Sequence, residues 1–255
     1  RSRRHAGGDQ PRRPRGPVLG AVGKSEHVPQ LLRFQIVVPF AQAVEVFGVG
    51  RAAGTGIVVV EGPGDAAYLV HAYRAPEATH PDFYPLVLLN AAFAGGSSLG
   101  FFAGAGSNKS SRLYRHLVAS DLAASAGGSM TPTVDPYLYR ISAVARPGRS
   151  LQEIEAALDR AIAELASEPI TQAELDKALK RAKAQFVMAG ESVTGQAQMI
   201  GMSEMVAHDY RWFEETLDQL NAVTLDDVER VRQQYLRPSR RTVGWYVPLN
   251  GENGG

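Results

Sequence analysis

Apolar and polar positions recur along the chain with two different periods, and each change of period marks an element. Residues 57–61 are a β-branched run closed by Gly62-Pro63-Gly64, which predicts a strand and a turn. Residues 67–73 predict a second strand, broken by Pro76. His80-Pro81-Asp82 opens a helix on which Phe83, Leu86, Val87, Asn90 and Ala91 share a side. Residues 95–108 are glycine-rich and predict a loop. Residues 110–118 return to helical spacing, with Leu113 and Leu117 four apart. Residues 121–130 are small-residue strand material. Residues 137–145 alternate, with Tyr137, Tyr139, Ile141 and Ala143 on one face, and Pro147-Gly148 ends them.

The second half is mostly helical. Ser150 and Glu153 form a capping box, in which the hydroxyl accepts a backbone N–H and the carboxylate reaches back. Behind it Leu151, Ile154, Leu158, Ile162 and Leu165 make an apolar stripe at helical spacing. Thr171 and Glu174 repeat the box ahead of Leu175, Ala178, Leu179, Ala182 and Phe186. A further helix spans residues 192–207, where Met199, Met202 and Met205 read as a core-facing stripe. Thr224 and Asp227 cap another helix, which Pro238 stops, and residues 242–247 predict a closing strand. Strands come in pairs rather than singly between helices. That order predicts an α+β fold with a mostly antiparallel sheet and helices packed on one face.

The bulk properties narrow the function. A net charge of +1 gives no electrostatic reason for nucleic acid or an anionic membrane as main partner. The absence of cysteine removes disulfide frameworks and thiolate zinc sites, and fits a cytoplasmic or a periplasmic setting equally. Residues 1–55 are rich in Arg, Gly and Pro and predict a linker or poorly ordered lead-in, with the regular domain over 56–250. Residues 34–49 are the most apolar run, but Gln35, Pro39, Gln42 and Glu45 interrupt it, which argues against a signal sequence or a membrane span.

The zinc-helix and phosphate-loop motifs are missing. The histidines are His5, His27, His71, His80, His116 and His208, and none stands three or four residues from another. An H-x-x-E-H zinc helix is therefore excluded, and no metal ligand is expected in this chain. Glu204 and His208 are four apart, but no third ligand accompanies them. The run GFFAGAGSNKSS, residues 100–111, lacks the glycine before lysine that a phosphate loop needs.

Several segments, taken in order, resemble the insulinase/pitrilysin-type zinc metallopeptidases. They are SNKSSRLYRHLV (107–118), VVVEGPGDAAYLVHAYRAP (58–76), ARPG (145–148), EPITQAELDKA (168–178), ESVTGQAQMIG (191–201) and YLRPSRRTVGWYVP (235–248). No one of them is a strong signature; their order and spacing carry the resemblance, which covers residues 57–248. It implies one half of a clamshell peptidase, the carboxy-terminal half without zinc ligands. Zinc is then expected in a partner half, covalently linked or in a heterodimer, with a peptide enclosed between the two. The resemblance also implies an Arg/Tyr pair that holds the substrate carbonyl, but an ungapped reading puts Val118 and Ser125 at those positions. Arg112, Tyr114 and Arg115 stand nearby as substitute substrate-binding candidates. The missing pair keeps open a second reading, a scaffold or substrate-recognition subunit with no peptidase role.

Overall fold

The computed structural model describes residues 31–34, 56–95 and 109–249. Six strands form one mixed sheet: β1 (Leu31–Phe34), β2 (Gly56–Pro63), β3 (Tyr68–Ala75), β4 (Ala123–Met130), β5 (Tyr137–Ala145) and β6 (Arg241–Leu249). Their spatial order is β1-β2-β6-β3-β5-β4. The pairs β3–β5, β3–β6 and β4–β5 are antiparallel, whereas β1–β2 and β2–β6 are parallel. The β4–β5 neighbours are the antiparallel pair that the sequence order predicts. The β2–β3 neighbours are not: β6 lies between them, with His71 opposite Val243 on one side and Val59 beside Trp245 on the other. β1 lies within the lead-in stretch, and the rest of that stretch, like most of the glycine loop, falls outside the described residues.

Six α-helices occur among the described residues: α1 (Phe83–Phe93), α2 (Leu151–Ser167), α3 (Gln172–Ala189), α4 (Val193–Ala207), α5 (Thr216–Ala222) and α6 (Leu225–Tyr235); all but α5, which the sequence did not announce, follow the predicted starts. Capping boxes form at Ser150/Glu153, Thr171/Glu174 and Thr224/Asp227. Each satisfies end N–H groups that would otherwise lack partners, worth about 1 kcal/mol apiece. The main core lies on one face of the sheet, where Leu69, Tyr73, Tyr139, Ile141 and Val243 meet the helices. α1 is buried almost all round rather than on one side. It is held at its start by Asp82, which accepts from Arg230 and, at 2.8 Å, from Tyr235 Oη of α6.

Two local expectations differ from the structure. The segment at 110–118 is a π-helical turn, Tyr114–Val118, that still buries Leu113 and Leu117 completely. The methionine stripe does not stay in the core: Met199 is buried, Met202 is half-buried and Met205 is 54% exposed. A step of three residues falls short of a full turn, so the third methionine has rotated away from the core.

Candidate functional site

β4 is a sheet edge: among the described residues no strand lies beyond it. Its sequence, AASAGGSM, is almost without bulk. Ala123, Ala126, Gly128 and Met130 face the helices, and Ser125, Gly127 and Ser129 face the other way. A bulge between Ala123 and Ser125 bends its entry.

The strand is pinned to α1 through one polar residue. Asn90, fully buried, donates from Nδ2 to the Gly128 carbonyl at 3.3 Å and accepts from Tyr139 Oη at 3.0 Å. Burial and Tyr73 push the Tyr139 phenol up, so it stays a donor. A Cβ at Gly128 would stand 2.0 Å from Asn90 Oδ1 and 2.8 Å from Ala94 Cβ, so only glycine lets the strand approach the helix. A Cβ at Gly127 would meet nothing within 4 Å.

The π-helical turn leads into β4 through Asp121, which adopts φ 61°. Of the two positions expected for a carbonyl-holding pair, Val118 is buried in the core and Ser125 is exposed on β4. Arg112 stands just ahead of the turn with its side chain 6% exposed. It donates from Nε to Glu174 Oε1 at 2.9 Å and from Nη2 to Glu174 Oε2 at 2.7 Å. It also donates to the Glu168 carbonyl, and to the Pro169 carbonyl at 3.0 Å. Four of its five donors are thus spent on the α2–α3 corner. The fork holds the Glu174 carboxyl down at about 2, with the Thr171 backbone and hydroxyl adding to it. Tyr114 is partly buried against the core, and Arg115 is exposed.

Each described histidine already has a local role. His71 is fully buried between Ile141 and Val243, and neither ring nitrogen has a hydrogen-bond partner among the described residues. Burial first, then the nearby Arg241, lowers its pKa to about 3, so the imidazole is neutral. The nearest carboxylate, Asp159 at 4.0 Å, is taken by Arg241, whose Nη2 donates to it at 2.9 Å. His80 Nδ1 accepts from the Asp82 N–H at 3.0 Å. His116 Nε2 lies 3.0 Å from Glu164. His208 closes α4 in the left-handed conformation, φ 53°. His5 and His27 lie outside the described residues. No group of three ligands able to hold a metal occurs among the described residues, so they do not fit a zinc site.

Sequence reasoning missed the Asn90–Gly128–Tyr139 contact and the Arg112–Glu174 fork. A signal for the first was present: Asn90 is the only strongly polar side chain in the helix FYPLVLLNAAF. Nothing local announces the second, because 62 residues separate its partners.

A family model described as peptidase M16 inactive domain matches residues 17–182, a span that starts inside the lead-in stretch. No curated protein matches the chain. Among solved structures, a candidate zinc protease from Bordetella pertussis Tohama I is 27% identical, with a TM-score of 0.62 over 72% of this chain and 94% of that one. The inactive peptidase domain of a candidate zinc protease from Bordetella parapertussis is 26% identical, with a TM-score of 0.64 over 74% of this chain and 96% of that one. A protease from Helicobacter pylori shares the fold at 23% identity and a TM-score of 0.67, and there this chain, matched over 78% of its own length, spans only 46% of the other. No helix among the described residues is long and apolar enough to cross a membrane.

Proposed function

Because the chain belongs to the peptidase M16 inactive-domain family, we propose that it is the non-catalytic partner half of a zinc metallopeptidase. A second half bearing H-x-x-E-H would supply the metal, its ligands and the carboxylate that activates water. Residues 56–250 would form the domain that faces this half across a chamber, with 1–55 leading into it. The pair would be a heterodimer or two parts of one polypeptide. Its contribution would be to close over the peptide and to offer the outer edge of β4, where an extended substrate adds as a further strand.

The placement of the four described histidines supports this reading most: one is sealed in the core, one is bonded to a helix start, one is paired with Glu164 and one ends a helix. Within the segment before β4, Arg112 would act as a positioning residue, because its donors are spent. Tyr114 and Arg115 would make any direct contact with substrate.

The test is to purify the chain, measure its zinc, and assay cleavage of a mixed pool of unfolded peptides. No zinc and no cleavage are expected from the chain alone, with cleavage on adding an H-x-x-E-H half. Stoichiometric zinc with cleavage by the chain alone would sink the proposal. Val118 and Ser125 at the carbonyl-holding positions favour the scaffold reading as the second choice. Stable assembly with the other half but no cleavage would select it.

A further inference from the structure

Resting on the reading of β4 as a peptide edge, we infer that this edge selects extended peptides with acidic side chains, through Arg140 with Arg74 behind it. The register places both arginines on the sheet face opposite the helices. Arg140 pairs with Ala72 on β3 and with Ser129 on β4, and Arg74 pairs with Leu138, one diagonal step from Arg140. Arg74 is exposed and Arg140 half-buried, and neither has a hydrogen-bond or ion-pair partner among the described residues. Arg112, Arg230, Arg232 and Arg241, by contrast, are each paired with a carboxylate. The strands β2 to β6 contain one carboxylate, Glu61, and its register with Val247 puts it on the helix side. Among the described strand residues, the face that carries Arg74 and Arg140 therefore holds positive charge and no carboxylate.

The side chains between Arg140 and the edge are small. Ser129 stands directly across from it on β4, Gly127 stands opposite the exposed Ser142, and the space over Gly127 is open. A peptide strand added to β4 would run two strand spacings from β5, about 10 Å. An arginine and a glutamate leaning toward each other span that distance when nothing bulky separates them. The row Arg140–Ser129 leaves the way clear, and Arg74 adds positive potential that draws an acidic strand to the edge.

The test uses the whole chain and three fluorescent ten-residue peptides alternating Thr with Glu, Gln or Lys, with binding read by anisotropy. The Glu peptide should bind about two- to fivefold tighter than the Gln peptide, and added salt should shrink the difference. Arg140→Gln should abolish most of that preference, leave the Gln peptide's affinity unchanged, and melt like the wild type. Arg74→Gln should reduce the preference less. N-methylation of alternate backbone amides should weaken every peptide. Equal binding of Glu and Gln peptides, both sensitive to N-methylation, overturns the inference and leaves the edge reading standing. Retention of the preference in Arg140→Gln also overturns it. Failure of all peptides to bind, or indifference to N-methylation, overturns the edge reading and this inference with it.

Discussion

Replacing Arg112 by methionine keeps a stem of similar length and removes the guanidinium fork. The loss is concentrated, because the fork makes two charged hydrogen bonds to Glu174 and two more to the carbonyls of Glu168 and Pro169. Charged bonds of this kind are worth about 1.5–3 kcal/mol and neutral ones about 1 kcal/mol, while removing one partner of a buried pair costs about 3–5 kcal/mol. Glu174 keeps 29% of its side-chain exposure, so water partly takes over from the arginine there. Arg112→Met should therefore cost about 3 kcal/mol, which lowers the melting temperature by roughly 6–12 °C for a domain of this size. Arg112→Lys should lose most of the same stability, since a single ammonium cannot reproduce the fork. The assay is urea unfolding followed by circular dichroism, run also on Glu174→Gln and the double variant. The two single changes should be strongly non-additive. The pH dependence has a set sign. The Glu174 carboxyl is held from 4.5 down to about 2 in the folded state, so its contribution is full above pH 4.5 and fades as pH falls toward 2. Wild type and Arg112→Met should converge in that window. A loss below 1 kcal/mol, or simple additivity with Glu174→Gln, would refute the positioning role and return Arg112 to the pool of substrate contacts.

Three further substitutions probe the sheet. His71 is lowered to about 3 in the folded chain from its ordinary 6.5, so unfolding takes up a proton between those values and stability falls as pH drops below 6.5. The slope from this residue alone is about 1.4 kcal/mol per pH unit, and His71→Leu should flatten it; an unchanged slope in urea titrations at pH 6.5 and 4.5 would contradict the neutral buried imidazole. Gly128→Ala should cost about 2–3 kcal/mol by overpacking against Asn90 and Ala94, whereas Gly127→Ala should be close to neutral. Equal denaturation midpoints for the two variants would mean that Asn90 does not fix β4 to α1.

What the sequence made legible was local. The three capping boxes announce α2, α3 and α6 because each box closes within four residues. The alternation at 137–145 announces β5 because one face must be buried. The insertion of β6 between β2 and β3 was not legible, since pairings as distant in the chain as His71 with Val243 and Val59 with Trp245 leave no local trace. The π-helical turn was hidden by Leu113 and Leu117, whose spacing suits an ordinary helix as well. At the candidate site, the smallness of β4 could be read directly, but its status as an edge could not. Arg112, Tyr114 and Arg115 were picked by nearness in sequence, and only the fold separates the engaged Arg112 from the exposed Arg115.

The last of the described strands is seated in the middle of the sheet, and this sets an order of assembly during synthesis. Until residues 241–249 leave the ribosome, β2 and β3 cannot be bridged, and each presents a bare edge to whatever is near. The β3–β5–β4 antiparallel ribbon and its helices are complete before that moment, but β1 and β2 wait as an orphan pair. A chain stalled short of β6 would be an aggregation hazard rather than a smaller version of the domain. A premature stop near residue 240 should therefore send the product to inclusion bodies or to proteases, even though it spares most of the core.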